Sequence, residues 1–196
     1  AGLRVVAVSD PQDAYTCLRQ AIASDDPVIF FEPKRLYHAK GEVDLDTPLA
    51  DAAPMLLARV VREGTDVTVV TYGAMVRTAL DAAEAAEAEG RSLEVIDLRS
   101  LSPVDYGTVC ASVRRTGRVV VVHEAAREAG VAAEVIASIT EKCFTWLEAA
   151  PLRVTGHDIP YPPAKLEKFH LPDLDRILDA VDRVCDDEQL LEGAER

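Results

Sequence analysis

The chain has 196 residues, of which 48% are hydrophobic and 5% aromatic, and its 34 acidic and 21 basic side chains give a formal net charge of −13. This apolar share is typical of a globular protein and argues against wholesale disorder. The acidic excess argues against broad binding to nucleic acids or anionic membranes, because both require a basic surface. No apolar window approaches the roughly 18 residues of a membrane span, and the residues from Ala1 lack signal-peptide regions, so a cytoplasmic protein is expected.

The cysteines agree with a reducing compartment. Cys17, Cys110, Cys143 and Cys185 form no C-x-x-C pair and lie scattered through apolar or helical stretches. This spacing favours buried, reduced thiols, with a metal site or a disulfide framework as the alternatives.

The first 31 residues predict a strand, a helix and a second strand. Apolar side chains recur at helical spacing over 11–24, and Asp10 before Pro11 is a favourable N-cap. Short apolar strands are expected on either side, over 4–8 and 28–31. One such crossover unit is too small to bury both faces of its sheet. It is therefore expected to be the tail of a larger domain or to dock on another chain.

The remaining sequence divides into three parts. Residues 37–53 are polar and turn-rich, and we expect them to link residues 1–36 to a larger unit over 54–185, which an acidic tail over 186–196 follows. In the larger unit, strands alternate with helices, a rhythm typical of a mostly parallel sheet covered on both faces. The predicted fold is therefore a three-layer α/β/α arrangement. The expected strands are 67–71, 93–98, 118–122 and 152–155, and the expected helices are 74–89, 102–115, 131–147 and 174–184.

No motif in the sequence marks an active site, because the Walker loop, the dinucleotide-binding glycine pattern and the hydrolase nucleophile elbow are all missing. His123 and Glu124 end a predicted strand, at the edge where open α/β sheets place ligands. A zinc-binding histidine pair is improbable because Arg127 stands four residues after His123. We expect an interface or structural role for this pair, with direct catalysis as the alternative, and any chemistry is expected to need residues from elsewhere.

Short motifs run in unbroken order along residues 2–185, and together they are far more specific than each is alone. With these motifs the chain resembles the β subunit of thiamine-diphosphate-dependent 2-oxo acid dehydrogenase E1 components. The series includes Phe30-Phe31-Glu32-Pro33-Lys34, Glu94-Val95-Ile96-Asp97-Leu98-Arg99, Val122-His123-Glu124-Ala125 and Leu171-Pro172-Asp173.

This resemblance implies a heterotetramer in which the chain assembles with E1 α subunits and a second E1 β subunit, with thiamine diphosphate and Mg²⁺ at the subunit interface. Residues 54–185 would form the transketolase-like C-terminal domain, and residues 1–36 the last part of a pyrimidine-binding domain. In the family, the cofactor-activating glutamate and the catalytic β histidine lie upstream of the position matching Gly2. The resemblance therefore places no catalytic and no cofactor-binding residue in this chain, which is expected to be inactive alone.

The implied reaction is oxidative decarboxylation of a 2-oxo acid, with the cofactor as electron sink and acyl transfer to a lipoyl arm on the E2 partner. This part of the chain is expected to serve subunit assembly and E2 docking. A net charge of −13 suits a basic E2 module, or serves solubility alone. The expected interface residues are Glu148, Asp158, His123 and Glu124. A structural potassium ion is also implied, held mainly by carbonyl oxygens of Ala21, Ser24 and Asp26.

One loop departs from the family pattern, because Arg127-Glu128-Ala129-Gly130 stands where many members have a Thr-Gly-Gly type loop. The segments 163–167 and 171–178 resemble the branched-chain type of E1 more than the pyruvate type. The expected function is therefore that of a branched-chain E1 β subunit. The pyruvate-specific enzyme, an acetoin dehydrogenase and a non-catalytic assembly module are the alternatives.

Overall fold

The computed structural model describes residues 2–186, so the expected acidic tail lies outside the described residues from 187 onward. The chain begins with the predicted strand–helix–strand unit: β1 (Arg4–Ala7), α1 (Pro11–Ile22) and β2 (Val28–Phe31). Strands β1 and β2 are parallel. Helix α1 begins as predicted, because the Asp10 carboxylate accepts a hydrogen bond of 2.7 Å from the Asp13 backbone N–H.

The larger unit contains a five-stranded sheet in the order β3-β5-β4-β7-β8. Strand β3 is antiparallel to β5, and the other three pairings are parallel, which confirms the mostly parallel sheet. The strands are β3 (Arg59–Arg62), β4 (Val67–Thr71), β5 (Leu93–Asp97), β7 (Val119–Val122) and β8 (Leu152–Val154). The helices are α2 (Met75–Ala88), α3 (Tyr106–Thr116), α4 (Val131–Cys143), the short α5 (Glu167–His170) and α6 (Leu174–Cys185).

Separate hydrophobic cores cover the two faces of this sheet. Val120 and Val122 of β7 belong to a core built with residues of α2 and α6, whereas Val119 and Val121 belong to a core built with α3 and α4. Successive side chains of a strand point to opposite faces, so one four-valine strand contributes to both cores. Helices on both faces confirm the predicted three-layer arrangement.

The segment around Ser102 differs from the sequence-based expectation of a helix start. Residues Ser100–Ser102 form strand β6, which pairs antiparallel with β1, and the Ser102–Pro103 peptide is cis. The Ser102 hydroxyl donates to the carbonyl oxygen of Leu3 at 2.9 Å and does not cap a helix. Helix α3 begins after Asp105, whose carboxylate accepts from the Thr108 N–H at 3.2 Å. The predicted start of this helix at residue 102 is therefore wrong, because residues 100–102 pair with β1 instead.

Strands β2, β1 and β6 form a three-stranded sheet. A cluster of charged residues, the junction cluster, joins this sheet to the five-stranded one. Arg99 lies between β5 and β6, 3.0 Å from the Asp13 carboxylate of α1, and both side chains are nearly inaccessible. On β3, Arg59 contacts the Asp10 carboxylate at 2.5 Å and that of Asp13 at 3.2 Å. The cluster comprises Asp10, Asp13, Arg59, Asp97 and Arg99.

The cysteines and the helices bear on two expectations from the composition. Cys17, Cys110 and Cys143 are buried, as expected, and Cys185 is partly exposed. None of the helices within residues 2–186 combines the length and the apolar composition of a membrane-crossing segment.

Candidate functional site

His123 lies at the carboxyl edge of the five-stranded sheet, directly after β7, with no exposed surface. Its Nδ1 is 3.1 Å from the carbonyl oxygen of Ala125, and its Nε2 has no hydrogen-bond partner among the described residues. A Cβ added to Gly130 would lie 2.9 Å from Nε2, so the ring packs directly against that glycine. Burial lowers the pKa of His123, so a neutral ring that donates from Nδ1 to Ala125 fits this environment. His123 therefore holds the 125–130 loop against the sheet.

Glu124 connects the same edge to the segment after β2. Its Oε1 is 2.6 Å from an Arg35 guanidinium nitrogen, and both side chains are about two-fifths exposed, at 38% for Glu124 and 43% for Arg35. Burial raises the pKa of Glu124, the Arg35 charge lowers it, and the Glu167 charge raises it again. The pair spans 89 positions of the sequence and connects the segment just before the expected linker to the sheet.

A second buried histidine, His170, completes this group of residues. Its Nδ1 has no partner within residues 2–186, and the Tyr161 ring packs against it edge to face, with centroids 5.0 Å apart. The Tyr161 hydroxyl donates to Glu167, and burial together with that carboxylate raises the pKa of Tyr161 to about 12. The burial of His170 has no local sequence signal, because the preceding segment 160–170 is rich in proline and lacks a periodic apolar pattern. The edge cluster comprises Arg35, His123, Glu124, Tyr161, Glu167 and His170.

The predicted interface residues do not share one surface. Asp158 lies near the edge cluster, where its carboxylate accepts from the Glu128 N–H at 2.9 Å. Glu148 lies at the opposite edge, beside the Gly117 turn that precedes β7, where it pairs with Arg118 at 2.5 Å and keeps 59% of its side chain exposed. A flat contact at one edge of the sheet would therefore include either Glu148 or Asp158. Their interface roles stay predictions.

The positions expected to hold potassium lie at the carboxyl end of α1 and in the following turn. Arg4 already contacts both polar side chains there: its guanidinium donates to the Ser24 hydroxyl at 2.9 Å and lies 2.5 Å from the Asp26 carboxylate. The carbonyl oxygen of Ala21 accepts from the Ser24 N–H at 3.3 Å. A guanidinium thus neutralises the carboxylate, and the carbonyl-based ion site stays a prediction.

The family model for the transketolase C-terminal domain matches residues 57–177, more than half of the 196-residue chain. The chain belongs to the transketolase C-terminal domain family. The matched range covers the whole five-stranded sheet and most of its helices, so the expected transketolase-like fold of this unit is confirmed.

Curated relatives extend the similarity to the strand–helix–strand unit. The pyruvate dehydrogenase E1 component subunit beta of Leifsonia xyli is 58% identical over 184 residues, covering 93% of this chain and 53% of that protein. The 3-methyl-2-oxobutanoate dehydrogenase subunit beta of Mycobacterium tuberculosis is 56% identical over 185 residues, covering 94% of this chain and 52% of that protein. The chain thus spans about half the length of the curated relatives it matches. The predicted resemblance to E1 β subunits is confirmed.

A solved structure shares the architecture. An inactive beta4 tetramer of a split-gene transketolase has a TM-score of 0.71 and 27% identity, and covers 93% of this chain and 57% of that chain. The similarity therefore includes both the strand–helix–strand unit and the transketolase C-terminal domain.

The thiamine diphosphate and Mg²⁺ site that the resemblance implies stays a prediction for the assembled enzyme. Within residues 2–186, no three His, Cys, Asp or Glu side chains lie together in a way that could hold a metal ion such as the cofactor's Mg²⁺. The edge cluster pairs its own charges, Arg35 with Glu124 and Tyr161 with Glu167. Its arrangement suits a structural clamp between segments rather than a set of open ligands.

The loop that departs from the family pattern carries backbone strain. Ala129 has a φ of 54°, in the left-handed region that glycine adopts without steric cost. We expect Ala129→Gly to raise the free energy of unfolding by about 0.5 to 1 kcal/mol, because relief of this strain exceeds the added freedom of glycine in the unfolded chain. Urea denaturation measures the change.

A matched control for this variant is Ala133→Gly in α4. Ala133 is exposed and helical, so glycine there is expected to destabilise by about 1 kcal/mol. The two glycine variants should therefore shift the urea midpoint in opposite directions, and a loss of stability in both would contradict strain at Ala129.

Proposed function

We propose that this chain acts as the β subunit portion of a 2-oxo acid dehydrogenase E1 enzyme located in the cytoplasm. The observation that carries the proposal is 56–58% identity across 93–94% of the chain to two E1-type β subunits. Identity at this level extends from the strand–helix–strand unit to α6. In the assembled enzyme, E1 α subunits and a second β subunit would surround thiamine diphosphate and Mg²⁺.

The part of the enzyme proposed here is an assembly body without catalytic groups. Its strand–helix–strand unit exposes apolar side chains that a further domain or subunit could cover: Ile22 is 77% exposed, Phe31 54% and Ile29 40%. Such a group of apolar residues on a small sheet favours a protein contact. The charged groups of the edge cluster form ion pairs within that cluster, and those of the junction cluster do the same. This pairing supports a structural role for both clusters.

We further propose a branched-chain 2-oxo acid as the substrate. The support is the resemblance of 163–167 and 171–178 to the branched-chain type, together with relatives named for 3-methyl-2-oxobutanoate and, in Dictyostelium discoideum, for 2-oxoisovalerate dehydrogenase at 47% identity. Pyruvate is the second candidate, because the Leifsonia relative at 58% identity carries that name. An acetoin dehydrogenase is a further alternative.

The activity is tested with a chimera. Residues 2–185 replace the matching region of the Mycobacterium tuberculosis relative, and the chimera is assembled with that enzyme's α subunit and thiamine diphosphate. We expect decarboxylation within about tenfold of the parent kcat/KM, and no turnover by the isolated 196-residue chain. Turnover by the isolated chain would contradict the placement of catalytic groups elsewhere, and a chimera that assembles but is inactive would contradict the proposed function.

Substrate and docking are tested in the holoenzyme that carries this chain. A kcat/KM at least about tenfold higher for 3-methyl-2-oxobutanoate than for pyruvate is expected, and the reverse ratio would assign pyruvate. Binding of a basic E2 module should weaken with either Glu148→Gln or Asp158→Asn, since the two residues lie at opposite edges. Unchanged binding in both variants would remove both residues from the docking surface.

A non-catalytic assembly module is the second candidate function. The inactive beta4 tetramer of the similar split-gene transketolase favours it, because a related chain assembles with copies of itself without activity. Sedimentation of the isolated chain distinguishes the cases: a dimer or tetramer supports self-assembly, and a monomer without affinity for E2 contradicts it.

A further inference from the structure

A polar groove of about 450 Å³ lies beside β8, the last strand of the five-stranded sheet, and α6 forms its other wall. Four arginines line it, together with three aspartates of α6 and its cap. They come from different parts of the sequence, which the fold brings together. The arginines of the groove are Arg127, Arg153, Arg176 and Arg183.

Among the described residues, three of these guanidinium groups have no carboxylate partner. Within residues 2–186, ten arginines lie within 4.0 Å of a carboxylate, whereas Arg127, Arg153 and Arg176 do not. Carbonyl oxygens position two of them: Arg176 donates to Thr155 at 2.6 Å, and Arg153 donates to Arg127 at 3.1 Å. A carbonyl orients a guanidinium without neutralising its charge, so the charge remains available to an anion.

The aspartates beside the groove serve the helix instead. Asp173 caps α6 by accepting from the Arg176 backbone N–H at 2.9 Å, and Asp179 lies 3.7 Å from Arg183 one turn along the same helix. Even with all three aspartates ionised, the four arginines leave the groove with one net positive charge, in a chain whose net charge is −13. A positive groove on so acidic a protein marks a place where an anion is favoured over the rest of the surface.

We propose that this groove binds a small molecule carrying a phosphate monoester or a diphosphate. The planar guanidinium group suits the bidentate recognition of phosphate oxygens. The volume lies in the range of small-molecule sites, about 300 to 1,000 Å³. Because Arg176 also fixes the Thr155 carbonyl, Arg127 and Arg153 are the guanidinium groups that can turn towards a ligand without loss of a contact to β8 or α6. The groove shares no residue with the junction cluster or the edge cluster.

The test is calorimetric titration of the 196-residue chain with pyrophosphate and with glycerol 3-phosphate, at an ionic strength held constant with sodium chloride. We expect saturable binding with a Kd below about 1 mM. Arg127→Gln and Arg153→Gln should each weaken binding about tenfold, because each removes a charge-assisted contact. The matched control is Arg77→Gln, since Arg77 is 75% exposed on α2 and already paired with Asp81, and it should leave the Kd unchanged.

The outcomes separate this site from general attraction to arginines. Loss of affinity in Arg127→Gln and Arg153→Gln with an unchanged Arg77→Gln protein supports the groove. Equal loss in all three, or no saturable binding, overturns it. A phosphoserine tripeptide carries the same ester on a peptide, so tighter binding of the tripeptide than of glycerol 3-phosphate would assign the phosphate to a protein source. Equal binding of its unphosphorylated form would overturn phosphate recognition in favour of strand pairing on the β8 edge.

Discussion

Replacing Arg99 by methionine is expected to lower the free energy of unfolding by about 3 kcal/mol or more, because it leaves a buried carboxylate with too little positive charge. Arg99 is only 2% exposed and lies 3.0 Å from Asp13. Its guanidinium also donates to the Cys17 sulfur at 3.1 Å and to two backbone carbonyl oxygens, of Pro54 and Leu57, at 3.2 Å. One side chain therefore satisfies groups on α1 and on the segment before β3.

Two further variants separate charge from packing at Arg99. Asp13→Asn combined with Arg99→Met should recover part of the loss, because the double variant no longer buries an under-compensated carboxylate. Arg77→Met removes an exposed arginine in an i,i+4 pair and should change stability by less than about 0.5 kcal/mol. Guanidinium chloride denaturation measures all of them. A loss for Arg99→Met as small as that for Arg77→Met would show that the junction cluster does not hold the two sheets together.

Asp97 is expected to make the protein more stable as the pH falls from 7.5 towards 5. Burial raises the pKa of Asp97 to about 6, although hydrogen bonds from the Ser9 hydroxyl and the Arg99 N–H lower it. The folded protein therefore binds a proton at a higher pH than the unfolded chain, whose aspartate pKa is about 3.9. This contribution to stability appears as the pH drops through 6, is complete below the unfolded pKa, and is lost as the pH rises through the folded pKa.

Asp97→Asn mimics the protonated side chain and removes this titration. At pH 7.5 the variant should be more stable than the parent protein by on the order of 3 kcal/mol, and this difference should fall to about 1 kcal/mol near pH 4.5. The difference between the two unfolding curves is the useful quantity, because the lowered pKa of His123 affects both proteins and cancels. Asp81→Asn, at an exposed position of α2, is the control and should give a small difference. A large difference that does not change with pH would contradict a raised pKa at Asp97.

The amino-acid sequence by itself determined the elements whose signals are local. Such signals depend only on neighbouring positions of the sequence. Examples are the helix caps at Asp10 and Asp173 and the four valines of strand β7. Strands that alternate with helices then predict a mostly parallel sheet with helices on both faces, which is a three-layer arrangement. The ordered motifs added the relation to E1 β subunits.

Only the tertiary structure decided the contacts that span distant positions. Strand β6 pairs with β1 although a serine–proline start there is also typical of a helix, and the β1 residues that pair with this backbone lie 94 or more positions away in the sequence. No local pattern indicates which segments Arg99, Glu124 and the arginines of the groove contact, because a charged residue in a sequence does not identify its partner. Their surroundings are set by how the sheets and helices pack, and a local pattern contains no information on which segment will lie opposite.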